Sequence, residues 1–312
     1  MRKLTREAFE RAHEFLMERA RPLERALFAQ HFEGGDVLAV FDELARFQND
    51  DGGFGQALEP DVRTPSSSAL ATGIALRMLS ELNCPAQEDM VRRAVAYLLH
   101  TFDVADRVWR VVPLDTNACP HAPWWYDEGG SLQQLFDGFL IIPRALIVGS
   151  LVHYSELVPG GLLEELIDDT VRAIETEESL GEGGGSDLEY AIYLAESRGL
   201  PPHQRTRLVK RILEAIRAAV VSDSARWGGY CLSPLRAVRS PQALGAELIR
   251  DDLQRHLDYQ IEQQTEEGTW EPSWSWGGSD PEAWEQARIE WRGMLTLDTL
   301  TQLRAFGRLA LG

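Results

Sequence analysis

The sequence predicts an all-α protein in which polar-faced outer helices alternate with apolar inner helices around a ring. Apolar residues recur at helical spacing along most of the 312 residues, and no segment shows the alternation expected of a β-strand. Helices with one polar face also alternate with helices that are apolar on nearly every side, as buried helices are. Each step from a polar-faced helix to the next apolar helix crosses a long loop, so closing the ring gathers these loops at one end.

The helices follow in chain order, each bounded by recognisable signals. A first helix over 4–19 ends before Pro22, which begins a second helix that stops at the glycine pair 34–35. Asp36 is expected to cap the third helix, and one of the serines at 66–68 the fourth. Polar-faced helices are expected over 36–48, 87–100, 162–177, 202–221 and 246–264. Apolar helices are expected over 66–82, 131–154, 188–197 and 289–309, which makes about eleven or twelve helices in a single domain over residues 1–312.

Composition and charge argue against several function classes. The net charge of −18, with a pI near 4.8, disfavours nucleic acid, whose phosphates require clustered Lys and Arg, and disfavours anionic membranes. Three widely separated cysteines do not form a disulfide framework, which indicates a reducing compartment. The N-terminus lacks the apolar segment of a signal peptide, and the most apolar run, 139–152, is broken by Pro143 and Arg144 and is too short to cross a bilayer. We therefore expect a cytoplasmic monomer that binds no nucleic acid and has no stable membrane insertion.

One short pattern occurs twice, each time at the start of a long loop. Gln48-x3-Gly52-x-Phe54 follows the third helix, and Gln264-x3-Gly268-x-Trp270 follows the helix over 246–264. A Gln amide at a helix end can bond the backbone of the next helix, a glycine permits positive φ, and an aromatic ring packs across the turn. These residues are therefore expected to be scaffold. Two degenerate copies lie between them, Asp103-x3-Arg107-x-Trp109 and Val221-x3-Ala225-x-Trp227.

The repeated pattern resembles the QW motif of squalene and oxidosqualene cyclases. On these residues the chain is similar to a small member of the terpenoid cyclase and protein prenyltransferase superfamily, whose fold is an α/α toroid. The fuller motif has an aromatic residue five positions before the Gln; Tyr259 occupies that position in the last copy, whereas Glu43 stands there in the first. The resemblance implies a toroid with an aromatic-lined cavity for an apolar or isoprenoid-like molecule, and an acid–base isomerisation or cyclisation.

The catalytic motifs of that superfamily are absent from this sequence. No Asp-x-Asp-Asp acid motif occurs, and the nearest acidic candidate is Glu59-Pro60-Asp61. The Asp and Cys that bind zinc in prenyltransferase β subunits are not matched, because Gly229 stands two residues before Cys231. We therefore expect no metal and no cofactor. The sequence leaves open whether the chain catalyses a reaction.

Two loops carry the candidate acid–base groups. Glu59 and Asp61 precede the helix over 66–82, where two interpretations are open: the carboxylates cap that helix and pair with Arg63, or one projects into a cavity as general acid or base. His121 lies between two prolines and before three aromatic residues, in a loop that the prolines stiffen. The catalytic candidates are Glu59, Asp61 and His121.

Aromatic side chains outside the helix interiors supply most of the candidate ligand contacts. All nine tryptophans are expected in loops or at the start of an apolar helix, which favours a concave site lined by rings. Glu189 follows the glycine-rich segment 181–187, which is either a lid or a solvated hinge, with Asp187 expected to cap the next helix. Arg77, Arg144 and Arg292 interrupt apolar helices and need carboxylate partners, which the acidic loops could provide. The ligand-binding candidates are Arg63, Trp124, Trp125, Glu189, Trp227, Tyr230, Trp274 and Trp276.

Three functions are open at this stage, and the expected partner is a small apolar molecule or a sugar. The first is a cyclase-like or prenyltransferase-like site for an apolar or isoprenoid-like molecule, where aromatic faces stabilise developing positive charge. The second is a carbohydrate-active enzyme with paired carboxylates and Trp platforms. The third is a non-catalytic binding or interaction module, since a fold does not determine a function.

Overall fold

The computed structural model describes residues 1–132 and 141–310, and α-helices account for most of them, which confirms the all-α prediction. Twelve α-helices occur in these two ranges. We number them α1 (Arg6–Arg19), α2 (Pro22–Phe32), α3 (Val37–Ala45), α4 (Ala69–Glu81), α5 (Asp89–Thr101), α6 (Arg144–His153), α7 (Gly160–Thr176), α8 (Ser186–Glu196), α9 (Pro202–Ala219), α10 (Pro234–Ala237), α11 (Arg250–Glu262) and α12 (Pro281–Ala305). Short 3₁₀ helices lie at Thr116–Ala118, Pro123–Trp125, Ser155–Leu157 and Ser224–Arg226.

Local capping explains where most helices begin. Pro22 occupies the first turn of α2 as predicted, a position where its missing N–H costs nothing. Ser68, the last of the three candidate serines, caps α4, because its Oγ accepts a hydrogen bond of 3.0 Å from the Ala71 amide. Asp36 Oδ1 likewise accepts from the Leu38 amide at 3.0 Å at the start of α3. These three signals were correctly assigned from sequence.

Three predictions about local structure were wrong. The last helix begins at Pro281 rather than near residue 289, because Asp280 caps it through the Ala283 amide and a proline follows the cap. Asp187 is not a cap, since α8 already begins at Ser186. Two short antiparallel strands, Phe102–Asp103 and Val108–Trp109, occur where no strand was expected. Of the apolar helix predicted over 131–154, residues 133–140 lie outside the described residues, and α6 begins directly after Pro143.

The chain forms two compact units. Unit 1 consists of Met1–Glu43, Gly181–Gly185 and Ala215–Gly312, and unit 2 consists of Leu44–Leu180 and Ser186–Glu214. The single domain expected over 1–312 stays a prediction. Across the described residues, no helix combines the length and the hydropathy needed to cross a membrane.

The core of unit 2 is built from the apolar helices α4, α6 and α8. Every residue of α6 from 144 to 152 is buried, as expected for a helix packed on all sides. Glycines allow the close approach: a Cβ at Gly149 would lie 2.7 Å from the Tyr193 ring of α8, and one at Gly73 of α4 would lie 3.0 Å from Leu146. Small residues in α4 and α6 therefore set how closely these helices pack.

Unit 1 joins the two ends of the described chain. The Leu4 amide donates to the Arg308 carbonyl at 2.8 Å, and the Ala310 amide donates to the Leu4 carbonyl at 2.9 Å. The Arg308 guanidinium, itself buried, pairs with Asp258 of α11 at 2.6 Å. Helix α1 packs against α12 in the same unit. The first and last helices are thus neighbours.

The two intact copies of the repeated pattern form turns with the same hydrogen bonds. Gln48 Nε2 donates to the carbonyls of Gly52 (2.9 Å) and Met90 of α5 (3.0 Å), and Gln264 Nε2 donates to those of Gly268 and Ala8 of α1, both at 2.9 Å. The glycines have φ values of 90° and 85°. The Gln amide bonds the backbone of a helix in both turns, but the expectation that this would be the next helix was wrong, because the partner is α5 rather than α4 in the first turn and α1 rather than α12 in the second.

The aromatic residues of the two turns are anchored in matching ways. The Phe54 amide donates to Thr72 Oγ1 at 2.9 Å, and the Trp270 amide donates to Thr296 Oγ1 at 3.3 Å. Both rings are buried. Each turn therefore connects the helix before it to the apolar helix after it, and through its Gln to a third helix.

The degenerate copy at 103–109 keeps the turn without its Gln or Gly. Arg107, in the glycine position, adopts φ 58°, and the short strands form on either side of it. The Trp109 indole donates to the Leu98 carbonyl at 2.8 Å, as the Trp270 indole does to the Gln260 carbonyl. Arg107 itself bonds Asp169 of α7 at 2.7 Å, so the turn is again tied to a further helix.

Acidic residues satisfy two of the three arginines that interrupt apolar helices. Arg292 pairs with Glu267 (2.5 Å) and Glu271 (3.0 Å) of the loop before α12, as expected for an acidic loop. Arg77 pairs with carboxylates of helices instead. Arg144 differs, because its guanidinium donates to the backbone carbonyl of Arg107, and burial lowers the pKa of Arg144 despite the favourable charge of Asp169.

Candidate functional site

The two loops that carry the acid–base candidates pair with each other in unit 2. The Arg63 amide donates to the Pro120 carbonyl at 3.1 Å, and the Ala122 amide donates to the Asp61 carbonyl at 2.9 Å. Val62 and His121 form an antiparallel bridge between these bonds. The structure therefore brings together two segments that lie about sixty positions apart in the chain.

The alternation of side chains along an extended backbone assigns His121 and Asp61 to opposite faces of this pairing. Residues opposite one another share a face and successive residues alternate, so the His121 side chain lies on the side of Val62 and the Asp61 side chain on the other. His121 Nδ1 lies 2.8 Å from the Cys119 carbonyl, and its ring stacks on Tyr126 with centroids 6.1 Å apart. Asp61 is buried and Glu59 is partly exposed. The backbone pairing therefore holds both loops in place.

Trp124 and Trp125, neighbours in sequence, have different environments. Trp124 is 42% exposed, whereas Trp125 is buried. Tyr126 is 53% exposed beside the His121 ring. Asn117 fixes this part of the loop by donating to the Asp127 carbonyl (2.5 Å) and accepting from the Asp127 amide (2.9 Å). Of the two candidate ligand-binding tryptophans in this loop, only Trp124 presents a large surface to solvent.

Glu189 of α8 is an ion-pair partner of Arg77. The Arg77 guanidinium bonds Glu189 at 2.9 Å and Glu81 at 2.8 Å and lies over the Tyr193 ring at 5.2 Å. Burial opposes the charge of this guanidinium, but the two carboxylates outweigh burial and raise the pKa of Arg77. The Tyr193 hydroxyl in turn bonds Ser80 at 2.8 Å. Glu189 thus neutralises Arg77, and this ion pair accounts for the position of Glu189 without a ligand.

In unit 1, three aromatic rings meet in a continuous series, which we call the aromatic cluster: Tyr230, Trp274 and Trp291. Tyr230 and Trp274 pack edge to face with centroids 6.3 Å apart, and Trp274 and Trp291 do so at 4.9 Å. Tyr230 remains 55% exposed, and both tryptophans are partly exposed. Partly exposed rings in a packed series are suited to binding an apolar or planar ligand.

The glycine-rich segment and Arg236 border the same cluster. A Cβ at Gly184 would lie 2.4 Å from the Tyr230 hydroxyl, so the segment 181–185 rests directly on this ring. The Arg236 guanidinium lies 5.3 Å from the centroid of the Tyr230 ring. The glycines therefore permit the segment to pack closely against Tyr230, whether or not it also serves as a lid or hinge.

The remaining aromatic candidates are buried in unit 1. Trp227 is 6% exposed; its indole donates to the Val221 carbonyl at 2.6 Å, and its ring contacts His256 and Tyr259 edge to face. Trp276 is fully buried against Trp284. These surroundings are those of packing residues.

Two members of the site were missed by sequence reasoning. Trp291 was placed at the start of the last helix, but it lies in the third turn of α12, seven residues after Trp284. The Ser-Asp-Pro-Glu sequence at 279–282 is a helix-start signal that would have corrected this. Arg236 was missed because its contact with Tyr230 depends on the turn between them. The one signal in the sequence is that Arg236 lies in a stretch without acidic residues.

In the described ranges, no group of three or more His, Cys, Asp or Glu is placed to hold a metal ion. The sequence matches no model of a known protein family and no curated protein.

Proposed function

We propose that the protein is a small α/α toroid, related to the terpenoid cyclase and prenyltransferase superfamily, that binds an apolar or isoprenoid-like small molecule. The ligand lies against the aromatic cluster. The observation that carries this proposal is the edge-to-face series from Tyr230 through Trp274 to Trp291, in which each ring remains at least partly exposed. Exposing large rings costs free energy in water, and an apolar ligand that covers them recovers it.

The turns support the toroid. Gln48 bonds α5, Arg107 bonds α7, the Ser222 carbonyl accepts from Arg255 of α11, and Gln264 bonds α1. In the first three cases the turn that ends one polar-faced helix is tied to the next polar-faced helix named here. The last of these bonds leads from the C-terminal turn back to the first helix, which is the connection that a closed ring requires.

The binding proposal is tested with tryptophan fluorescence and farnesol. Native mass spectrometry of the purified chain first reports whether an apolar molecule co-purifies. Farnesol is then titrated while tryptophan emission is followed, with Trp274→Ala and Trp291→Ala expected to weaken binding about tenfold each, as for aromatic anchors at the centre of a site. Trp109→Phe is the control, because Trp109 is a buried tryptophan of unit 2. Unchanged affinity in both alanine variants contradicts the proposal.

Acid–base catalysis on an apolar molecule bound within unit 2 is a second candidate function, favoured by the paired loops that carry Asp61 and His121. An isomerisation or cyclisation begun by protonating an alkene would incorporate deuterium from D2O into a carbon of farnesol. Mass spectrometry of the recovered ligand measures this incorporation. It is expected in the unaltered protein and lost in Asp61→Asn; its absence from the unaltered protein leaves binding as the function.

A further inference from the structure

Arg144 and Arg292 have comparable positions relative to two turns of the repeated pattern. Each lies on the apolar helix that follows its turn, Arg144 on α6 and Arg292 on α12, and each guanidinium is buried. Arg144 donates to the carbonyl of Arg107, which stands in the glycine position of its turn. Arg292 donates to the hydroxyl of Thr269, which follows Gly268. The partners of the two arginines can therefore be compared position by position.

Arg292 has three polar partners in its turn. Its guanidinium pairs with the carboxylates of Glu267 at 2.5 Å and Glu271 at 3.0 Å, and it donates to the Thr269 hydroxyl at 2.9 Å. A buried guanidinium needs such partners, because leaving water costs free energy that only counter-charges and hydrogen bonds return. The carboxylates of the last turn therefore satisfy Arg292.

The degenerate turn does not offer these partners to Arg144. Counted from the glycine position, the three places that correspond to the partners of Arg292 hold Asp106, Val108 and Arg110. Only the first of these is acidic, and its side chain is exposed. Within 1–132 and 141–310, the one acceptor that Arg144 bonds is the Arg107 carbonyl, and no carboxylate lies within ion-pair distance of it. Arg144 is thus a buried cation without a bonded counter-ion among the described residues.

Nearby charges compensate Arg144 only in part. Burial lowers the pKa of Arg144, and the charge of Arg107 acts in the same direction, while Asp169 of α7 opposes both. The Asp169 carboxylate is itself held by the Arg107 guanidinium, with contacts of 2.7 Å and 2.6 Å. Since an arginine keeps its proton at ordinary pH, this position lacks negative charge.

The start of α6 adds a second attraction for an anion. Arg144 is the first residue of this ten-residue helix, and the residue before it, Pro143, makes no capping hydrogen bond with its side chain. The helix dipole favours negative charge at this end. Helical side chains point toward the N-terminus of their helix, so the guanidinium and the positive end of the dipole act on the same place.

We propose that Arg144 binds a small carboxylate anion at the start of α6, where the anion does for Arg144 what Glu267 and Glu271 do for Arg292. Two parallel N–H groups of a guanidinium match the two oxygens of a carboxylate. A single negative charge is favoured over a phosphate dianion, because Asp169 is within electrostatic reach and the net charge of the chain is −18. The site lies in unit 2 and is independent of the ligand proposed for the aromatic cluster in unit 1.

Sodium acetate is the probe, and thermal melting of the full chain is the first measurement. Melting is followed at neutral pH in about 100 mM sodium acetate and in sodium chloride of the same ionic strength. An anion that binds the folded chain and not the unfolded chain raises Tm. The expected difference in Tm between acetate and chloride is about 2 °C.

Matched variants locate the anion. Arg144→Met removes the guanidinium and is expected to abolish the difference between acetate and chloride. Arg144→Lys keeps the positive charge but loses the planar pair of N–H groups, and it is expected to lose most of the difference. Arg92→Met, at an exposed position of α5 in unit 2, makes the same change in net charge and is expected to keep the difference. Circular dichroism confirms that each variant is folded, and Arg144→Lys carries the test if Arg144→Met does not fold.

Saturation-transfer NMR then observes the acetate methyl group directly. Transfer from the protein is expected in the unaltered chain and in Arg92→Met, and it should be about tenfold weaker in Arg144→Met. Undiminished transfer in both Arg144 variants overturns the proposal, because acetate would then bind elsewhere. Equal Tm values in acetate and chloride also overturn it. Loss of the acetate signal on adding an equal or lower concentration of sodium phosphate overturns the choice of a carboxylate.

Discussion

The turns at Gln48 and Gln264 share their backbone hydrogen bonds but differ in the side chains around them. Before the glycine, the first turn has Asp51, whose carboxylate accepts from the Gly53 amide and the Ser67 hydroxyl. The second turn has Glu267, which instead pairs with Arg292 and, at 3.2 Å, with Arg19. Its ring residue also differs, since Trp270 adds an indole hydrogen bond that Phe54 cannot make.

Comparing the two turns shows which positions of the pattern have the same role in both. The Gln amide and the glycine φ recur because each satisfies a backbone requirement of the turn, and the ring recurs because it is buried against it. The carboxylate position is adapted to its neighbours: hydroxyl and amide donors in unit 2, arginines in unit 1. Variants of the two turns should therefore agree at the shared positions and diverge at the adapted ones.

The largest effect is expected at the glycines. Gly268→Ala places a Cβ 2.5 Å from the Arg11 backbone at φ 85°, and Gly52→Ala places one 2.6 Å from the Arg93 carbonyl oxygen at φ 90°. Each should lower the free energy of unfolding by about 3 kcal/mol, measured by urea unfolding.

Gly278→Ala is the control for the backbone conformation, because Gly278 has φ 92° and open space around its Cβ position. It should cost only about 1 kcal/mol. If Gly278→Ala costs as much as Gly268→Ala, the contact between the turn and α1 contributes nothing.

The next largest effect is expected at the glutamines. Gln48→Met and Gln264→Met keep the side-chain volume but remove two hydrogen bonds in each turn, and should each lower the free energy of unfolding by about 2 kcal/mol. Urea unfolding measures both. Gln263→Met, at an exposed neighbouring position, should cost almost nothing. Losses that differ widely between Gln48 and Gln264 would show that the two turns are not equivalent.

A smaller effect is expected at the ring position. Trp270→Phe makes the second turn resemble the first and removes the indole bond to the Gln260 carbonyl. The expected loss is about 1 to 2 kcal/mol, from the hydrogen bond and the smaller ring, measured by urea unfolding. A loss of the same size is expected for Trp109→Phe, whose indole bonds Leu98 in the degenerate turn. No loss of stability in either variant would mean that, once the indole is removed, water bonds the freed carbonyl as well as the indole did.

The smallest expected effect is a pH dependence of stability that arises from Glu267 in the second turn. The hydrogen bond from Arg292 lowers the pKa of Glu267 below its ordinary value of 4.5. A carboxylate with a lowered folded pKa contributes stability above its unfolded pKa, and that contribution is lost as pH falls through the folded pKa. The Tm difference between the unaltered protein and Glu267→Gln should therefore be present at neutral pH and vanish in acid. Glu266→Gln, which removes the adjacent exposed carboxylate, is the matched control, and an equal pH dependence of the two Tm differences would exclude the Arg292 pair as the cause.

Much of the helical structure was predictable because its signals are local. Pro22, Ser68 and Asp36 mark helix starts through backbone groups within a few residues, and the helices over 22–32, 87–100 and 202–221 were found within two residues of their observed bounds. The start of α12 was missed because the Trp-rich segment before residue 289 was interpreted as loop. The candidate site was predictable only in part: Tyr230 and Trp274 do meet, but Trp291 and Arg236 join them through contacts that no local pattern encodes.

The sequence by itself determined that the chain is mainly helical, where most helices start and which pattern repeats, because periodicity, caps and glycine positions act within one or two turns of the chain. Only the tertiary structure decided that Gln264 bonds the first helix, that Trp227 and Trp276 are buried, and that Tyr230, Trp274, Trp291 and Arg236 are neighbours. The physical reason is that burial and ring contacts depend on how distant segments pack, and aromatic residues are compatible with both the interior and the surface.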